Sequence, residues 1–211
     1  MENIVSEGGS WKWRSDPMGA FSVRQVRVDI EAAAAGVNNI SFGFRWNSWA
    51  TPKANVLLWR AINGKIASKV GLIHKGVHLA DSICSRCGLS DEDPEHVFVK
   101  CLWSRCIWWN VLAWVRISFP INSNNLQDLI DYLSNCPGCK IWKKTIYAIV
   151  MATVWRIWIA RNKKVFDDHF IPISRTVEQI KEDVFLWLCN RSKVKMPSWD
   201  NWRDFDIQGM L

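Results

Sequence analysis

The sequence predicts a mainly helical domain with a short N-terminal β-hairpin and one loop stapled by a metal ion. Three observations lead there. Apolar residues recur at three- and four-residue spacing through most of the 211 residues. Strand-period alternation is confined to the N-terminal end. A Cys-x₂-Cys pair is followed by a His and a further Cys across a turn-rich stretch.

In chain order, Trp11 to Arg14 and Ala20 to Val23 read as two extended segments, with Asp16-Pro17 and Gly19 as the turn between them. Residues 1–10 are expected to be a flexible N-terminus. From Arg24 to Ala35 the period becomes helical, and Gly36 with Asn38-Asn39 closes the run. Thr51 caps a second helix that starts at Pro52, runs to Ile62 and stops at Gly64. Ala67 to Lys75 is a shorter helix ended by Gly76. Further helices are expected at Trp103 to Val115, Leu126 to Leu133, Ile141 to Phe166 and Ile173 to Leu188. The Ile141 helix is apolar almost all round at its centre and should be the core element. Residues 11–192 are expected to form one domain and residues 193–211 a loosely held tail.

Composition narrows the class. Apolar residues make up 49% and charged ones 22%, which is a globular balance. The longest apolar run, Ile146 to Trp155, is too short to span a bilayer, so no membrane association is expected. The start of the chain carries no apolar secretion signal, which implies an intracellular setting, nucleus or cytoplasm. There the seven Cys read as metal ligands or buried thiols before disulfides. The 15 Trp, beside only two Tyr, are best explained by burial. A net charge of +7 suits an anionic partner such as nucleic acid, although charge alone does not require one. No small-molecule substrate is evident.

Cys84-Ser85-Arg86-Cys87 can present two thiolates to one ion from a tight turn, and Gly88 suits the left-handed residue such turns use. With His96 and Cys101 they complete a closed four-ligand set, the composition of a structural zinc site. The alternative is a group of buried thiols with an incidental His. Geometry adds a constraint. On a straight α-helix, residues five apart lie roughly 140° around the axis, so a helix starting near Pro94 must bend or end before Cys101.

At these residues the sequence resembles the zinc-binding domain that follows the polymerase in plant LINE-type, non-LTR retrotransposon reverse transcriptases. The resemblance runs through Trp11 and Trp13, then Gly19, Phe21, Ser22 and Val23. It continues through Trp46-Asn47-Ser48-Trp49, Pro52-Lys53 and Trp59-Arg60. Cys84, Cys87, Glu95-His96, Cys101 and Trp108 extend it, and Trp158, Arg161-Asn162 and Val165-Phe166 close it. It departs at Leu102, where family members often carry Pro, and at Ala67-Ser68, where a Thr-Arg pair is frequent. The resemblance implies a zinc-holding module that works with RNA or an RNA–DNA hybrid, or docks on a reverse transcriptase. No paired-aspartate strand of a polymerase appears, so the chain is expected to be that module alone and not an enzyme. The acidic stretch Asp91-Glu92-Asp93 is expected to face solvent.

Other features have ordinary readings beside sharper ones. Cys136-Pro137-Gly138-Cys139 lacks the strand–helix context of a redox pair and reads as a turn. Cys106 reads as buried on the helix after Cys101, and His74 and His78 as loop residues. Lys143, Lys144, Arg161, Lys163 and Lys164 bracket the long helix, and Arg191, Lys193 and Lys195 follow the last one. Capping of helix dipoles explains several of them. The sharper reading joins Lys143, Lys144, Arg161, Lys163 and Lys164 to Lys12, Arg14, Arg24 and Arg27 as a nucleic-acid face.

Overall fold

The computed structural model describes residues 4–7, 10–16, 18, 19, 22, 24–26, 28, 29 and 44–210. The chain divides into two compact units, Met1–Phe44 and Arg45–Leu211. Mainly helical architecture is what the structure shows, with one two-stranded sheet among the described residues. Among the described residues, no helix is long and apolar enough to cross a membrane.

In the first unit, β1 (Ile4–Glu7) pairs antiparallel with β2 (Ser10–Trp13). The hairpin therefore lies one segment earlier than expected, and part of the supposedly flexible N-terminus is a strand. Its register pairs Glu7 with Ser10, and the two residues between them in the sequence are both Gly, a pair that favours two-residue hairpin loops. A turn follows β2: Asp16 N–H donates to Trp13 O, and Trp13 N–H to Gly19 O. The second expected strand, Ala20 to Val23, falls mostly outside the described residues, as does the end of the expected helix. Residues 24–26, 28 and 29 of that helix are helical.

The second unit is a helical assembly built on α5. The helices in order are α1 (Pro52–Ile62), α2 (Lys69–Ile73), α3 (Leu102–Trp114), α4 (Leu126–Asn135), α5 (Lys140–Asp167), α6 (Ile173–Arg191) and α7 (Trp199–Arg203). Five of these helices start at a side-chain cap. Thr51, Ser68, Asn125, Cys139 and Ser198 each accept a first-turn N–H. Gly64, Gly76 and Gly88 all take positive φ where chain direction reverses.

α5 buries every residue from Thr145 to Val154 except the half-buried Tyr147, and α1, α3, α4 and α6 all pack on it. It is apolar all round because it is covered all round. Arg156 fixes α6 against it through a two-pronged bond to Asp183, both contacts at 2.6 Å. At its other end, Asn47 Nδ2 donates to Lys144 O, while the Asn55 side chain accepts from Asn47 N–H and donates to Asn47 O. The Trp46-Asn47-Ser48-Trp49 segment thus docks on α5 through its Asn.

The tail is not loose. Trp202 on α7 is fully buried and donates its ring N–H to Lys181 O on α6 at 3.0 Å. Its ring meets Trp114 edge-on at 5.3 Å, and Phe205 closes on Trp114 at 5.2 Å. Phe205, Ile207 and Met210 are buried too. A short polar stretch had hidden an aromatic anchor whose partners sit on two earlier helices. Trp202→Ala should lower stability by about 3–5 kcal/mol, the usual cost of emptying a buried Trp site, read as a shift in the urea midpoint. An unchanged midpoint would place the tail outside the cooperative unit.

Candidate metal centre

The turn at Cys84 to Ser90 is built by its backbone. Gly88 N–H donates to Cys84 O and Cys84 N–H to Ser90 O, both at 2.8 Å, with Gly88 at φ +67°. Arg86 N–H points at Cys84 Sγ at 3.4 Å, the contact that favours a thiolate in such turns. An isolated bridge between Ile83 and Asp91 closes the loop at its base.

Beyond it, Asp93 accepts the His96 N–H at 2.6 Å, and residues 94 and 95 begin a helical turn. The chain then widens into a π-helical turn, His96–Lys100, closed by Cys101 N–H to His96 O at 2.9 Å. An i→i+5 closure lays residue 101 over residue 96, where an α-helix would set them far apart in angle. Cys101 leaves helical geometry at ψ 130° and opens α3. The expected break before Cys101 is thus a widened turn.

The π turn frees carbonyls inside the core, and α3 takes them back. Ser104 Oγ donates to Val97 O at 2.6 Å and Trp108 Nε1 to Phe98 O at 2.7 Å. Phe98, Trp108 and Ser104 are almost fully buried, so leaving either carbonyl bare would carry a full desolvation cost. Ser104 was missed from sequence, since a lone Ser in a helix gives no signal of its partner.

These elements bring Cys84, Cys87, His96 and Cys101 together, with one ligand atom from each within 4.8 Å of every other. Cys84 Sγ lies 3.9 Å from Cys101 Sγ, and Cys87 Sγ 3.3 Å from His96 Nε2. A tetrahedral zinc with Zn–S of about 2.3 Å needs S···S edges of about 3.8 Å, so the cluster fits the ion. Contact with Cys101 and the N–H groups of Cys87 and Arg86 pull the Cys84 thiol down to about 4. The same sulfur contact and burial push Cys101 up. Two sulfurs sharing a proton in this way are poised to exchange it for a cation. The cavity beside Cys84 and Cys101 is about 10 Å³, at most the space of one water, which leaves no room for a substrate.

Arg86 completes the site. Its guanidinium stacks on Trp103 at 3.7 Å and faces Phe170 at 4.8 Å. All three of its side-chain nitrogens are buried and have no hydrogen-bond partner. Burial pulls its pKa down to about 10, while Cys101 and Cys84 pull it up. A zinc ion held by three thiolates and a neutral imidazole carries a net negative charge, and Arg86 is the cation that offsets it.

Glu92 ties the loop to the helices. It is fully buried, accepts from Lys69 N–H at the start of α2 at 3.1 Å, and grips Arg161 of α5. The Arg161 Nε reaches both Glu92 oxygens, at 3.1 and 3.2 Å, and one terminal nitrogen makes a further short contact. This corrects two expectations. Glu92 does not face solvent, and Arg161 is buried and paired, so it is no part of a nucleic-acid face.

Within the second unit, Lys143 and Lys144 lie in the first turns of α5 and Lys163 and Lys164 near its end. Lys163 and Lys164 make i,i+4 pairs with Asp167 and Asp168. Lys143 Nζ bonds Ser134 O, while Lys144 Nζ bonds Ser48 Oγ. In the first unit Lys12, Arg14 and Arg24 are exposed, and the Arg27 side chain lies outside the described residues. Trp13 is half-buried, with its ring N–H on Asp29 at 2.6 Å, and Trp11's side chain also lies outside them. Ser15 and Trp13, bonding Asp29, lower its pKa. Cys139 serves as the N-cap of α5, Cys136 and Cys106 are half-buried free thiols, and His74 and His78 are exposed.

Protein purified without chelator should contain about one zinc per chain, and Cys84→Ser should lose it. Arg86→Met keeps the packing but removes the charge. It should weaken zinc roughly 10–100-fold in chelator competition, the range typical of groups behind a ligand set, and unchanged competition would remove Arg86 from the site. Arg161→Met should cost about 3–5 kcal/mol in chemical denaturation, because it strands the Glu92 carboxylate.

Comparison with curated proteins and with solved structures gave no match. Residues 21–108, which contain all four clustered side chains, match the family model described as zinc-binding in reverse transcriptase, and that match together with the cluster supports zinc as the ion held there.

Proposed function

We propose that the chain is a non-catalytic zinc module of the plant LINE-type, non-LTR retrotransposon class, and that it binds nucleic acid, either RNA or an RNA–DNA hybrid, inside the cell. The observation that carries this reading is the closed Cys₃His cluster lying within a stretch that matches reverse-transcriptase zinc-binding regions. A closed four-ligand site supports a folded binding surface over chemistry at the metal. The +7 charge supports a polyanionic partner. The acidic stretch is taken up structurally, with Asp91 on Ser82, Glu92 on Arg161 and Asp93 on the His96 N–H, which supports the non-catalytic reading.

A second reading, docking onto a reverse transcriptase or another protein, is favoured by one feature. Leu102 and Trp109 on α3 and Ile121 beyond it stay largely exposed, and Trp109 pairs with Phe119 at 6.0 Å. Apolar side chains of this size in the open suit a protein partner.

A mobility-shift titration with RNA, single-stranded DNA, duplex DNA and hybrid, with and without chelator, separates the two. Binding that weakens steeply with salt and fails after zinc removal is the expected result. No shift with any of the four at low salt would sink the nucleic-acid reading and leave the docking one.

A further inference from the structure

An open groove in the second unit is lined by Ser48, Trp49, Ile141, Val194 and Met210 together with Arg191, Lys193 and Lys195, and its volume is about 710 Å³. Among the described residues, no carboxylate side chain lines it. Lys144 stands at its edge, with Nζ on Ser48 Oγ at 2.9 Å and 4.4 Å from the Trp49 ring centre. Arg191, Lys193 and Lys195 are exposed, and none makes an ion pair or side-chain hydrogen bond among the described residues. That sets them apart from Lys163 and Lys164, whose charge is met by Asp167 and Asp168.

The arrangement follows from the way α6 ends. Ser192 leaves the helix in extended conformation at ψ 159°, and its hydroxyl bonds back to Leu188 O. The following residues carry no helix. Arg191 sits in the last turn of α6, where it also offsets the helix dipole. Lys193 and Lys195 lie past the helix end, so capping gives no reason for them. Below the cations the floor is apolar, and cations beside an apolar floor are the combination that takes a phosphate backbone and its bases together.

We infer that this groove is where the chain holds single-stranded nucleic acid, with Arg191, Lys193, Lys195 and Lys144 on the phosphates and the apolar floor under the bases. The inference rests on the nucleic-acid reading above and moves the contact to the segment after α6, outside the matched residues 21–108 for all but Ser48 and Trp49. An acidic peptide is the competing occupant. The apolar floor beside the cations favours the strand.

The test uses the full chain and a labelled single-stranded RNA oligonucleotide, with a poly-glutamate peptide as competing probe. The variant carries Arg191→Ala, Lys193→Ala and Lys195→Ala, and the control carries Lys163→Ala and Lys164→Ala. Zinc content and thermal midpoint should match the parent in both, and Lys193→Ala with Lys195→Ala alone serves if the triple variant does not fold. The triple variant should bind RNA at least tenfold more weakly at low salt, with its log–log salt slope shallower by about 2, from roughly 0.7 per phosphate contact. The control should stay close to the parent. RNA binding by the triple variant equal to the parent's would overturn the groove while leaving nucleic-acid binding standing. Loss of poly-glutamate binding with RNA binding intact would also overturn it, in favour of the peptide. Failure of the parent itself to bind any nucleic acid would take down the broader reading and the groove with it.

Discussion

Four ligand atoms must converge to tetrahedral distance from a stretch of chain that a regular helix cannot supply, and much of the second unit is arranged around that demand. Two ligands come from a turn and two from residues five apart. An α-helix would point the second pair in different directions. The π-helical turn His96–Lys100 corrects the angle, and in doing so it leaves backbone carbonyls unmatched in an apolar setting. Ser104 and Trp108 on α3 then answer those carbonyls, so the first turns of α3 are shaped by the metal as much as by packing.

A second constraint holds the loop to the helices. Zinc closes the loop on itself, and Glu92 fastens it to α2 and α5 through Lys69 N–H and Arg161. The pair is enclosed, where the cost of taking both charges from water nearly cancels their attraction. Its effect is therefore mainly on placement: with either partner gone, the other is a bare buried charge. Arg86 follows the same logic one layer closer to the metal, since a cation held between Trp103 and Phe170 has no hydrogen-bond partner and is matched by the anionic cluster beside it. The charge of the site is balanced by position instead of by direct bonds.

Features that rest on local chemistry could be read in advance. Thr51 before Pro52, Gly64 after Ile62 and the apolar centre of α5 state their roles within a few residues. So does the spacing of the three Cys and the His. What escaped depends on partners far along the chain. Glu92 and Arg161 are 69 residues apart, and nothing near either announces the other. An acidic triplet in a polar loop reads as solvated, and an Arg at a helix end reads as a cap or a phosphate contact. Trp202 sat in a polar tail because its pocket is made by α3 and α6. The hairpin was misplaced for another reason: Asp16-Pro17 and Gly8-Gly9 are both turn signals, and the local pattern does not choose between them.

The same contrast governs which basic residues remain available to a partner. Counting Lys and Arg near helix ends treats them alike, yet their fates diverge once the chain folds. Arg161 is drawn inward by a carboxylate, and Lys163 and Lys164 are met one turn later by Asp167 and Asp168. Lys144 is held by a hydroxyl and a Trp face, neither of which cancels its charge. Arg191, Lys193 and Lys195 stay exposed where α6 ends at Ser192, beside a groove with no carboxylate side chain among its described lining residues. An unmatched charge beside apolar surface costs little while solvated, and it gains most when a polyanion releases its counterions there. The fold answers charge wherever the zinc loop must be held, and leaves it unanswered past the end of α6.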